Sequence, residues 1–161
     1  MKKTIRRRRK ECKTDYLSRL KLLKSGKPRI VFRRTNRYII AQYVISKEAQ
    51  DKIVFGVSSK ALLKHRWPEN AKGSLKSISA SYLTGYLIGK EIKKKKLETP
   101  IVDFGMIQTL HKTKIYAFLK GVIEAGIEIS CDEKCFPEEN RIKGEHMKNK
   151  INVEEIMEKI K

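Results

Sequence analysis

Hydrophobic and polar positions change their rhythm several times along the chain. Residues 1–13 carry almost no apolar side chains, so they cannot offset their own ordering entropy and are expected to be disordered alone. In "TDYLSRLKLLKSGKP" the leucines 17, 20 and 23 recur every third position, which predicts a helix. Thr14 is its expected N-cap, Asp15 suits the first turn, and Gly26 and Pro28 stop it. The next stretch, "RIVFRRTNRYIIAQYV" at 29–44, places β-branched and aromatic residues on both sides of "RRTNR". That pattern predicts two strands joined by a short turn, with Asn36 as the residue of special backbone angle. "DKIVFGVSS" follows the polar break "SKEAQ" as a third strand, giving an antiparallel meander.

From Leu75 the period lengthens: Leu75, Ile78, Tyr82, Leu83, Tyr86, Leu87 and Ile92 form a helical stripe. Gly85 and Gly89 lie one turn apart on it, where small residues let the helix lie close on a sheet. A Gly-x-x-x-Gly membrane pairing is the alternative, but "KEIKKKK" and the short apolar length oppose it. "IVDFG" after Pro100 reads as a strand covered on both faces, "KIYAFLKGVIEAG" as a helix stopped by Gly126, and "IEIS" as a last strand. This order of elements implies one mixed sheet with helices packed on it. Beyond Cys131 the charged tail places Pro137 to start one helix and Asn152 to cap another around Ile156 and Ile160.

Length and composition fit a single domain with extensions, for 161 residues with 40% hydrophobic content can build a core without staples. Charge alters the picture more. The formal net charge is +20, and the first 37 residues, with 16 Lys or Arg and 2 acids, hold +14 of it. Such a surplus calls for a polyanion, either a phosphate backbone or an anionic membrane. No apolar run approaches the roughly 20 residues needed to span a bilayer, and "MKKTIRRRRKECK" has a signal peptide's basic flank without its apolar core. A cytoplasmic protein is expected. Three cysteines, an odd number in a chain with a good core, point to reduced thiols.

Basic residues run on from Arg6, Arg7, Arg8, Arg9, Lys10 and Lys13 through Arg19, Lys21, Lys24 and Lys27 to Arg29, Arg33, Arg34 and Arg37. Charge runs are often only solvated tails or nuclear-type addresses, but here a flexible arm, a helix and a hairpin tip can line one electropositive surface. Arginine suits that task because its planar fork holds two phosphate oxygens and can stack on a base. Tyr16, Asn36 and Tyr38 lie among the cations, as expected where unpaired bases are stacked or read at their edges. Packing across the strands is the other reading of Tyr38. Lys112 and Lys114 complete the set of candidate RNA-binding residues.

Enzyme signatures are poor. "DFG" at 103–105 stands without a Gly-rich phosphate loop or an H-R-D loop, and a two-metal nuclease would need several acids converging on Asp103. Cys131-x-x-x-Cys135 could be half of a zinc site with His111 or His146, but no second close pair exists and free thiols are the better reading. His65 beside Trp67 has no nucleophile at a diagnostic spacing. No catalytic residue, metal or cofactor is expected.

The run "RRRRKECKTDYLSRLKLLKSGKPRIVFRRTNRYIIAQ" resembles the L-eighteen family of large-subunit ribosomal proteins, which binds 5S ribosomal RNA, and is most like its archaeal branch. Trp67, "YLTGYLIG" at 82–89, Asp103, Gly105, "KIYAF" at 114–118, "EAGIEI" at 124–129 and "GEH" at 144–146 extend the resemblance in order over nearly the whole chain. It implies a three-layer α/β fold with a mixed five-stranded sheet, of ribonuclease H-like topology without catalysis. It also implies a place in the central protuberance, holding 5S rRNA against the large rRNA beside another 5S-binding protein, and no independent homo-oligomer. Carried over by position, the family's arm is Arg6 to Arg9 with Lys13. Its helix entry is Thr14, Asp15 and Tyr16, its link is Ser25 to Arg29, and its hairpin motif is Thr35, Asn36 and Arg37. Cys12 stands where relatives often have Gly, and the Cys131–Cys135 pair is not a family feature. The expected division is a basic RNA-binding arm at 1–13, an α/β 5S-rRNA-binding domain at 14–130 and a charged helical tail at 131–161.

Overall fold

In the computed structural model, which describes residues 4–147 and 151–160, four strands form one mixed sheet. β1 (Arg29–Arg34), β2 (Ile39–Lys47) and β3 (Gln50–Ser58) are the antiparallel meander expected from the apolar pattern. β4 (Ile101–Asp103) joins β1 in parallel, so the order across the sheet is β3-β2-β1-β4.

The fifth strand expected at 127–130 is not formed. Ile127 is buried and Ile129 packs against the core while Glu128 stays exposed, so the alternation of a strand is present. Side-chain packing alone uses it: the Ile127 amide donates to the Val122 carbonyl at the end of the preceding helix, and no ladder to β4 follows. Period-two burial predicts which side chains point inward and says nothing about whether a partner edge lies alongside.

Two long helices cover one sheet face. α3 (Ile78–Lys94) starts where the Ser77 hydroxyl accepts from the Ala80 amide, and α4 (Lys114–Glu124) ends at Gly126, whose φ of +92° turns the chain out of the helix. Ile88 and Ile92 of α3 and Phe118 and Val122 of α4 pack on Ile30, Phe32, Ile39 and Ala41. Gly85 and Gly89 do not meet the sheet. They face α4, where a Cβ at Gly85 would collide with the Phe118 backbone and one at Gly89 with Ala125, while Gly121 lies equally close to the Tyr82 carbonyl.

The opposite face is more open than a three-layer fold requires. Val31, Ile40 and Gln42 are half-buried there, and α2 (Tyr16–Lys24) approaches only near the β2–β3 turn and buries no residue. The helix predicted from the leucine spacing forms, but its stripe is largely solvated, with Leu17 64% and Leu20 51% exposed. α2 is held instead by polar contacts: Arg19 donates to Asp51 Oδ2 at 3.0 Å and to the Ala49 carbonyl at 3.3 Å. Its N-cap is Asp15, which accepts from the Leu17 and Ser18 amides, and not the expected Thr14.

Further departures concern turns. Asn36 does not take the left-handed conformation; the β1–β2 turn is closed by Thr35, whose hydroxyl accepts from the Tyr38 amide and donates to the Tyr38 carbonyl, each at 2.9 Å. The β2–β3 turn is a two-residue reversal at Glu48 and Ala49, both at positive φ, inside what reads as a polar break. Residues 7–10, expected to be disordered, form a single helical turn, α1 (Arg7–Lys10), with no buried residue. Cys12 follows it at φ +52°, a backbone state that glycine adopts more readily than cysteine.

The C-terminal segment completes the core. Trp67, in a loop between two 3-10 segments (Ser59–His65 and Glu69–Ser74), donates its indole N–H to the Ala71 carbonyl. Its neighbours in the second apolar cluster are Tyr82, Leu83 and Leu87 of α3 with Ile142 of α5 (Glu139–Lys143) and Ile156 of α6 (Val153–Ile160). Asn152 and Gly144 bracket these last helices as cap and stop.

Candidate nucleic-acid interface

Strand alternation decides which arginines of "RIVFRRTNR" reach solvent. Ile30 and Phe32 point into the core, so Arg29, Val31 and Arg33 share the other face. Arg29 is withdrawn from the candidate interface. Its side chain is 1% exposed, and its guanidinium donates to Asp103 Oδ2 at 2.9 Å, Asp51 Oδ1 at 2.7 Å and the Ser46 hydroxyl at 2.8 Å. Arg33 is 43% exposed but folds back on β4, donating to the Phe32 and Asp103 carbonyls and reaching Asp103 Oδ1 at 3.5 Å. Asp103 also accepts from the Gly105 amide at 2.7 Å, and Gly105 leaves room for the Arg33 guanidinium, to which an added Cβ would approach within 3.0 Å. Asp103 and Gly105 therefore belong to a structural ion-pair network. No group of three or more His, Cys, Asp or Glu capable of holding a metal occurs among the described residues.

Asp51 joins this network to α2. Burial alone would raise its carboxyl pKa, but hydrogen bonds from Arg19 and Ser46 and the charge of Arg29 outweigh burial and hold it below the ordinary aspartate value. A group with a depressed folded-state pKa stabilises above its unfolded pKa of about 4 and loses that contribution as pH falls through the folded value. The stability gap between the protein and its Asp51→Asn variant should accordingly be constant near neutrality and shrink below about pH 4, as read by urea unfolding at a series of pH values.

At the tip, Arg34, Asn36 and Arg37 are exposed, while Tyr38 is half-buried against the second apolar cluster. Lys76 Nζ donates to the Asn36 carbonyl at 3.3 Å, which brings the start of α3 to the turn. Lys114, at the start of α4, sits beside both: burial first, then the charges of Lys76 and Arg34, lower its ammonium pKa. Lys112 is exposed next to it and pairs with Glu138 at 3.2 Å. Lys76 and Arg141 had no distinguishing sequence signal; one lies in "SLKS" and the other in a charged tail, and only the tertiary fold brings them to this end.

The arm and α2 lie at the other end of the sheet. Arg6 stacks over the Tyr16 ring at 4.8 Å, and Arg8 donates to the Thr14 hydroxyl. Arg7 and Lys13 both reach Glu11, and Arg19 is tied to the β2–β3 turn. Arg9, Lys10, Lys24 and Lys27 are exposed. The length of β2, roughly 26 Å at about 3.3 Å per residue, separates this group from the β1–β2 turn. The sequence suggests one continuous cationic face; the structure has two cationic ends.

Cys131 is half-buried and Cys135 buried, both as free thiols, and burial raises the Cys131 thiol pKa. No helix is long and apolar enough to cross a membrane among the described residues.

The molecule is thus a mixed α/β protein of high positive charge whose cations collect at the two ends of a four-stranded sheet. A family model described as "Ribosomal large subunit proteins 60S L5, and 50S L18" matches residues 2–99. Among curated relatives, "Large ribosomal subunit protein uL18" of Korarchaeum cryptofilum is 45% identical over 141 residues, covering 88% of this chain and 70% of that protein. Its namesake in Methanothermobacter thermautotrophicus is 38% identical, covering 88% and 71%. The chain belongs to this ribosomal large-subunit protein family, in its archaeal form.

Proposed function

We propose that the protein is a non-enzymatic component of the large ribosomal subunit that binds 5S rRNA and helps attach it to the large rRNA in the central protuberance. The observation that carries this reading is the free charge at the β1–β2 turn: Arg34 and Arg37 are exposed and have no carboxylate partner among the described residues. The turn itself is rigid, being closed by Thr35 and braced by Lys76. Prepositioned cations of this kind release condensed counterions from a polynucleotide without paying much ordering entropy.

In this reading residues 1–13 are a basic arm for RNA, residues 14–130 are the 5S-rRNA-binding domain, and the segment from 131 seals the outer side of α3. Arg6 to Lys10, Lys13, Tyr16, Lys24, Lys27, Arg34, Asn36, Arg37, Lys112 and Lys114 remain its contact residues. Arg29, Arg33 and Arg19 act behind them as structural ions. Neighbouring ribosomal proteins, including another 5S-rRNA-binding protein, are its other partners. The meander extended by a parallel β4 supports the ribonuclease H-like topology.

Binding of 5S rRNA measured across a salt series tests this. The double variant Arg34→Ala/Arg37→Ala should flatten the slope of log K against log salt by about 1.4 to 1.8, two contacts at 0.7 to 0.9 each. An unchanged slope removes the turn from the interface, and a wild-type protein that ignores 5S rRNA removes the function.

A further inference from the structure

Beside the β1–β2 turn lies a pocket of about 350 Å³ that none of the contacts above fills. Its lining combines an apolar set, buried Phe32 and Ile115 with the more open Ile107 and Leu110, with the cations Arg34, Lys112, Lys114 and Arg141. Among the described residues no carboxylate lines it, and Lys112 pairs with Glu138 at 3.2 Å. Leu110 is 54% exposed, so its side chain is open to a ligand at this pocket. Lys114 is half-buried beside Lys76 and Arg34, so its charge is crowded by like charges, and it has no carboxylate in ion-pair contact among the described residues.

A pocket lined by both apolar and cationic side chains suits a ligand that is flat and apolar at one end and anionic at the other. A nucleotide whose base is unstacked meets that description, and the volume lies at the small end of the range for ligand sites. A helical stretch of RNA does not fit, since its bases are stacked on one another and offer edges but no free face. We propose that this pocket receives one unpaired nucleotide of a bound RNA, its phosphate held by Arg34, Lys114 and Arg141 and its base laid on Ile107 and Leu110. The proposal deepens the reading above by naming what the turn end of the sheet recognises.

The test uses the full chain and two probes, 5S rRNA and a short single-stranded oligoribonucleotide. Lys114→Gln/Arg141→Gln should lower the salt slope for both by up to about 0.7 to 0.9, the contribution of the single phosphate they share. Leu110→Ala, at an exposed position where folding is not in question, should weaken binding about five- to tenfold at every salt without changing the slope. With 4-thiouridine placed in the RNA, crosslinks should join residues 107–115 to unpaired positions and fade in Leu110→Ala. If wild type ignores 5S rRNA yet holds the oligoribonucleotide in a Lys114-dependent way, the pocket stands and the 5S reading falls. Normal affinity and slope in all variants, crosslinks confined to duplex positions, or loss of binding to an acidic peptide with RNA binding intact would each overturn it.

Discussion

Replacing Arg29 by alanine is expected to destabilise the fold by about 3 to 5 kcal/mol, because it leaves two carboxylates facing a cavity that a guanidinium had filled. Asp103 is 9% exposed and would retain the Gly105 amide and, as its one remaining charged partner among the described residues, the weaker, more solvated Arg33. Asp51 would keep Arg19 and Ser46, so the heavier loss falls on the β1–β4 junction. Chemical denaturation reads the change, and a double-mutant cycle with Asp103→Ala identifies its origin: the pair of substitutions should cost markedly less than the sum of the two. A loss below 1 kcal/mol, or strict additivity, would mean that the network contributes nothing beyond its packing. RNA binding by the surviving folded fraction should keep the wild-type salt slope, since Arg29 has no solvent-facing donor to lose.

Gly121→Ala carries the second large effect. Intrinsic propensity favours alanine over glycine in a helix by about 1 kcal/mol, so local preference predicts a gain. The contact predicts the reverse. A methyl at this position would overlap the Tyr82 carbonyl and stand 2.9 Å from the Tyr86 amide nitrogen, and both obstacles are backbone atoms of α3 that cannot rotate away. Overpacking against backbone should win by about 3 kcal/mol, which for a chain of this length lowers Tm by roughly 6 to 12 °C. Gly73→Ala is the control, because nothing lies within 4 Å of a Cβ there. Equal melting temperatures for the two variants would show that α3 and α4 can separate without cost.

What the sequence revealed of this molecule follows from range. The meander, α3, and α4 with its stop at Gly126 were legible because apolar period and a terminal glycine are local signals. "IEIS" misled because its alternation concerns two faces, while a strand also needs an edge. Gly85 and Gly89 mark a close approach, but to α4 and not to the sheet as expected, because the partner helix lies more than 30 residues away and leaves no mark at their own positions. The interface was legible to the same degree. Arg34, Asn36 and Arg37 stand on a turn that pattern alone locates. Arg29 looked identical to them in composition, and only the distant Asp103 and Asp51 turn it inward. Lys76 and Arg141 were invisible for the converse reason.

Placing the basic groups at opposite ends of β2 has an electrostatic consequence for the free protein. Their spacing of roughly 26 Å is about three screening lengths in physiological salt, where the Debye length is near 8 Å. Each cluster is nearly blind to the other, so in the unbound chain repulsion acts within each end and scarcely between them. Only in dilute electrolyte, at about 0.01 M, does the Debye length reach about 30 Å and let the two ends feel each other.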